Sequence, residues 1–217
     1  MAQLFRPSAN LHARQVLWGL LLGLAALAGA GYALAESQWS TGAARYVEQP
    51  VQFSHEHHVG GVGIDCRYCH EGVEVGAFAG IPPTETCMHC HAQLFTDAPM
   101  LAPIRASWAS GRPIRWRRVH DLPDFVYFDH SAHIHKGVGC ETCHGRVDRM
   151  PLMVQTADLT MKWCLDCHRD PGPHLRPLAA VFTMGWSPPA ERRKALSAAL
   201  VTAYDVASRT SCSECHR

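Results

Sequence analysis

The sequence predicts a mainly α-helical and irregular fold, with one N-terminal transmembrane helix followed by a domain of short helices and little sheet. Three observations predict it. Residues 15–35 form one uncharged apolar run, QVLWGLLLGLAALAGAGYALA; a Cys-x-x-Cys-His pattern recurs five times in the remainder; and Gly and Pro interrupt that remainder before any long periodic element develops.

As a helix the apolar run would span about 31 Å at about 1.5 Å per residue, the depth of a bilayer core. Arg6 and Arg14 precede it and no Lys or Arg follows before Arg45. The positive-inside rule then places residues 1–14 in the cytoplasm and residues 36–217 on the outer face of the cytoplasmic membrane. Ala33-Leu34-Ala35 would suit a signal-peptide cleavage site, but the run exceeds a usual signal core, so a retained anchor over 15–35 is expected. Gly19, Gly23, Ala26 and Ala30 make a row of small residues that would admit a neighbouring helix, although such richness is also ordinary for membrane helices.

All ten cysteines lie in the five patterns: Cys66, Cys69 and His70; Cys87, Cys90 and His91; Cys140, Cys143 and His144; Cys164, Cys167 and His168; Cys212, Cys215 and His216. Cysteine pairs alone would fit disulfides or zinc, but neither requires a His directly after every second Cys. That arrangement is the attachment sequence of c-type haem, in which two thiols bond the porphyrin and the adjacent His binds the iron from one side. Five covalently attached haems c are therefore expected, and these large flat apolar bodies would form most of the core. Net charge is +1, with 20 Lys and Arg against 19 Asp and Glu, which gives no reason to expect a nucleic-acid partner.

Around the motifs an internal repeat emerges. Phe53-x-His55-x-x-His58 precedes Gly61-Val62-Gly63 and two haem motifs; Phe128-x-His130-x-x-His133 precedes Gly137-Val138-Gly139 and two more. The expected layout is repeat one at about 50–94, an irregular linker at about 95–127, repeat two at about 128–175, and a C-terminal helix with the fifth haem site at about 187–217. In the linker, Arg112, Arg115, Arg117 and Arg118 surround Trp116 and would dock a partner, pair with haem propionates, or form a solvated basic loop. Ser187, Pro188 and Pro189 read as a helix start with Ser as cap, followed by an apolar stripe at Ala195, Leu196, Ala199, Leu200 and Ala203.

An iron that only transfers electrons keeps six ligands, so five distal ligands are needed. Repeat symmetry selects His55, His58, His130 and His133, and the expected pairing is His55 with His70, His58 with His91, His130 with His144 and His133 with His168. For His216 the choice falls on His120, outside the repeat as the fifth motif is, with His57, His135, His174, Met150 and Met153 as alternatives.

The F-x-H-x-x-H segment leading into C-x-x-C-H resembles the small class III multihaem cytochromes c. More specifically, FSHEHHVGGVGIDCRYCH, AGIPPTETCMHCH, RVHDLPDFVYFDHSAH, KGVGCETCHGRVDRMPLM and MKWCLDCHR resemble the pentahaem subunit of alternative complex III. That resemblance implies an electron-transfer subunit with no catalysis of its own. Its partners would be iron–sulfur and polytopic quinol-oxidising subunits of a membrane complex, and its acceptor a monohaem cytochrome c, a copper protein or an oxidase. The alternatives are a multihaem quinol dehydrogenase feeding a periplasmic reductase and a multihaem reductase, the latter requiring an open iron.

Overall fold

The computed structural model describes residues 5–216, and the chain divides into two compact units after Gly42. In the N-terminal unit a helix runs from Ala9 to Ala35 and is long and apolar enough to cross a membrane. It begins six residues before the apolar run. Residues 9–14 contain no Gly or Pro, and Pro7 stops the helix from extending further toward the terminus. A one-turn helix, Gln38–Thr41, follows and ends at Gly42, whose φ of 72° is a left-handed cap.

The second unit contains short helices and, among the described residues, only isolated β-bridges: Tyr46 with Val154, Val126 with His216, and Val138 with Leu175. Every Cys-x-x-Cys segment lies wholly or largely in a short helix: Cys66–Cys69, Thr84–His91, Glu141–His144, Met161–Arg169 and Cys212–Cys215. Helical geometry brings positions i and i+3 to one face, which sets the two thiols of each motif side by side. The helices are held by local devices where the sequence supplies them. Asp65 accepts from Arg67 N, and Thr160 accepts from Trp163 N.

Two helices depart from the sequence expectation. The linker contains a nine-residue helix, Ala102–Ser110, although Pro103 argues against one; Pro103 sits in the first turn, where a missing N–H costs nothing, and Gly111 supplies the left-handed cap with φ 65°. Its Ser107 hydroxyl meets that of Thr84 at 2.6 Å, joining linker and second haem motif. The C-terminal helix, Ala190–Ala203, forms as the apolar stripe predicts, but Pro189 occupies the cap position and Ser187 makes no cap bond.

The protein core is small for the unit's size: its buried apolar side chains are Ala43, Val51, Val73, Ile104, Ile134, Leu175, Ala180, Val181 and Leu200. Val73, Ile134 and Val181 pack together with Ala79 and Phe182, and they come from repeat one, repeat two and the segment beyond.

The repeats clasp each other. The π-helical turn Glu56–Gly61 of repeat one packs on the Val147–Arg149 turn behind His144, with Glu56 N donating to Met150 O at 3.0 Å. Reciprocally, the His130–His135 helix packs on the Glu71–Glu74 turn behind His70, with Ser131 N donating to Gly76 O at 3.2 Å. Glu56 and Ser131 hold the same place in the repeat, and Met150 and Gly76 each lie six residues after their motif's histidine.

Candidate haem centres

The F-x-H-x-x-H segments place their rings alike. Phe53 stacks on His58 with centroids 4.4 Å apart and meets His55 edge-on at 4.9 Å; Phe128 stacks on His133 at 4.4 Å and meets His130 edge-on at 4.8 Å. The second His of each segment turns Nδ1 back onto a carbonyl four residues earlier, His58 to Ser54 O at 2.8 Å and His133 to Asp129 O at 2.7 Å. A carbonyl only accepts, so Nδ1 carries the hydrogen and the Nε2 lone pair is free for a metal.

Opposite these rings stand the motif histidines. His58 faces His91 at 6.2 Å between centroids, His133 faces His168 at 6.1 Å, and His130 faces His144 at 6.3 Å with nearly parallel planes. Two imidazoles on one metal through Nε2, with metal–nitrogen bonds of about 2.0–2.1 Å, hold their centroids roughly 6 Å apart. The spacing therefore fits a six-coordinate haem iron in three of the five sites. His55 lies close to His70 as well: burial first, then His70 and His58, push its pKa down to about 4.

The motif histidines also fix Nδ1. His70 is bonded to Gly80 O at 2.7 Å, His91 to Leu94 O at 3.1 Å, His168 to Arg209 O at 2.8 Å and His216 to Phe125 O at 3.2 Å. His144 differs, for its Nδ1 faces Nε2 of His120 at 3.2 Å, the rings being 4.3 Å apart. Burial, followed by His120, His130, His70 and His55, pushes His144 down to about 3 and keeps it neutral, as a ligand must be. Burial and His130 hold His120 down at about 4.

His120 is thus the departure from the sequence-based pairing. The expectation gave it to the haem of His216, whereas its ring contacts are with His144, and His216 instead meets Phe125. The cause is the path of the linker. Tyr127 N donates to Cys215 O at 2.8 Å, so it is residues 125–127 that run beside the fifth motif, while His120 is left at the third.

Contacts between motifs give their spatial order. Tyr68 of the first motif bonds His89 of the second at 2.8 Å, and Cys66 of the first and Cys140 of the third are close enough that each shifts the other's titration, Cys66 downward and Cys140 upward. Burial raises Cys143, with Cys167 and Cys164 adding to it; burial likewise raises Cys164, with Cys215 next. The sequence of neighbours is second, first, third, fourth, fifth. None of the ten cysteines is in a disulfide, and among the described residues no three His, Cys, Asp or Glu side chains gather as a bare metal site.

The third motif has the most support around it. Glu141, half-buried, receives the buried Arg176 at 2.8 Å in an ion pair and also accepts from Gly185 N, while Arg176 donates to Thr183 O and lies against the Trp186 ring. No local pattern signals this pair, because its partners are far apart along the chain. Of the linker arginines, Arg118 pairs with Asp121 at 3.2 Å and the Arg117 backbone is held by Gln49. Arg115 and Trp116 line a cleft of about 440 Å³ with Ile81, Pro82 and Ile114.

Residues 126–217 match the family described as cytochrome c7 and related cytochrome c. This segment is cytochrome c7-like. The match begins just before Phe128 and takes in the second repeat together with the fifth motif. The chain is also 40% identical over 98 residues to the multiheme cytochrome c subunit of a menaquinone reductase from Nitratidesulfovibrio vulgaris (Hildenborough), across 45% of this chain and 46% of that protein. The cytochrome c7-like segment and this relative both point to multihaem c-type chemistry.

Proposed function

We propose that the chain is a membrane-anchored pentahaem cytochrome c that relays electrons between a quinone-active membrane complex and a redox partner on the outer face of the membrane. The observation that carries this reading is the opposed imidazoles at 6.1–6.3 Å, which leave no coordination position for a substrate at those irons. The ten cysteines hold the five haems covalently, His70, His91, His144, His168 and His216 bind the irons from one side, and His55, His58, His130 and His133 bind four of them from the other. Bound there, the haems supply one-electron redox chemistry; the chain's residues fix their ligands and bring neighbouring sites together. A relay through these sites would follow the order second, first, third, fourth, fifth, or its reverse. The Ala9–Ala35 helix anchors the chain with its N-terminus in the cytoplasm.

The direction expected from alternative complex III is away from quinol, to a monohaem cytochrome, a copper protein or an oxidase. A second reading, favoured by the name of the menaquinone reductase relative, runs the same relay toward quinone.

Gentle detergent purification tests both. The chain should carry five covalent haems by intact mass and bring iron–sulfur and polytopic subunits with it. Reduced, it should pass electrons to an external cytochrome or copper protein without binding carbon monoxide. A stoichiometric carbon monoxide shift would reveal an open iron and put a reductase in place of the relay; rapid haem oxidation by added menaquinone would assign the second direction.

A further inference from the structure

We propose that His120 is a positioning residue for the third haem site, accepting the Nδ1 hydrogen of His144 and thereby setting the tautomer, orientation and donor strength of that iron ligand. The inference rests on the haem reading above. Seven of the nine proposed ligand histidines hand Nδ1 to a backbone carbonyl: His58, His70, His91, His130, His133, His168 and His216. His144 alone meets another imidazole there, Nδ1 to Nε2 at 3.2 Å.

If His144 binds iron through Nε2, its Nδ1 must carry the hydrogen, so Nε2 of His120 is the acceptor and His120 keeps its own hydrogen on Nδ1. The nitrogen that accepts this bond has one lone pair. It cannot also ligate a second iron, which separates this role from that of a distal ligand. The His120 ring stands at 69° to that of His144 with its Nε2 on the His144 Nδ1, while His130 lies nearly parallel to His144 at 6.3 Å between centroids.

An imidazole nitrogen accepts more strongly than an amide carbonyl. It draws the His144 N–H further and makes the opposite nitrogen a stronger donor to iron, as acceptor groups behind metal-bound histidines do. A stronger axial donor favours the oxidised iron, so the third site is held at a lower potential than a carbonyl acceptor would give it. The third motif lies at the middle of the spatial order, between the first and the fourth.

The test uses the haem-loaded chain in its detergent-purified assembly, with His120→Leu and His120→Gln variants. In His120→Leu every haem should keep its wild-type spin state, with the potential of one haem raised and its paramagnetic resonance g-values changed. His120→Gln should return both toward the wild type, because its amide oxygen accepts the same hydrogen. Five unchanged haem signals in His120→Leu would overturn the proposal, and so would one haem turning high-spin and binding carbon monoxide, which would make His120 an iron ligand. If His120→Leu does not assemble, the reduced wild-type protein decides: nitrogen-15 spectra should show a scalar coupling across the His144–His120 hydrogen bond, and its absence overturns the role. A chain purified without haem would sink the reading of the sites themselves, a result distinct from any of these.

Discussion

Repeat one and repeat two set their paired histidines against phenylalanine with nearly equal spacing, yet they secure the surrounding chain by different means. At the position after the first motif cysteine, repeat one has Arg67 and repeat two has Glu141. Arg67 pairs with Asp65 at the surface, each side chain 47% exposed, and rests over Phe182. Glu141 and Arg176 are 14% and 8% exposed. Surface pairs of the first kind contribute little, whereas removing one partner of a buried pair strands the other charge. The first histidines differ in the same sense: His130 Nδ1 bonds Ala77 O at 2.7 Å, while His55 Nδ1 is buried without a partner. The residue at the place corresponding to Ala77 is Pro151. Repeat two is the more fully tied half, and it is the half that the cytochrome c7 family covers.

The largest test of this contrast is Glu141→Gln against Arg67→Gln. Thermal unfolding of the detergent-purified chain should show Glu141→Gln losing about 3–5 kcal/mol, because Arg176 is left buried and unpaired. Arg67→Gln should change the melting curve barely at all, and equal losses would erase the distinction between the halves.

Next in size is Gly60→Ala. A Cβ at Gly60 would collide with the carbonyl of Asp148, so the Glu56–Gly61 turn must lift from its seat, at about 1–3 kcal/mol. The corresponding residue of repeat two is Lys136, whose Nζ reaches Tyr204 O at 2.6 Å, so Lys136→Ala should be tolerated. The His58–His91 pair would report the shift as a change in one low-spin haem signal.

The smallest effect concerns the caps. Asp129 accepts from Ser131 N and Ala132 N, and in repeat one Ser54 Oγ accepts from His57 N. Asp129→Ala should lower the melting temperature slightly, by more than Ser54→Ala does. The Ser131 hydroxyl holds the Asp129 carboxyl below the ordinary value of 3.8, so its contribution is complete above that value and disappears as pH falls through the lowered one. Acid titration of the melting temperature should therefore flatten in Asp129→Ala.

What the sequence made legible was local. The Cys-x-x-Cys-His spacing lies within one helical turn, and F-x-H-x-x-H carries its aromatic support and both rings on adjacent turns, so both could be read directly from the residues. The Ala102–Ser110 helix escaped because Pro103 reads as a breaker unless its place in the first turn is known. His120 could be singled out as exceptional, since it stands outside the repeat, but the neighbour expected for it, His216, is not the one it meets. That neighbour depends on how residues 120–127 run between the third and fifth motifs, and this path is set by contacts with Cys215 and His144 rather than by spacing. Glu141 and Arg176 were invisible for the same reason.

The mutual clasp of the repeats bears on how the protein is made. The seat for the Glu56–Gly61 turn is built from residues around Met150, which leave the ribosome long after the turn itself, while the seat for the His130–His135 helix is synthesised first and must wait. Contacts so distant along the chain are slow to close, because loop-closure entropy is lost before they are gained. The cysteines of repeat one, Cys66 to Cys90, are thus synthesised well before the residues that complete the clasp.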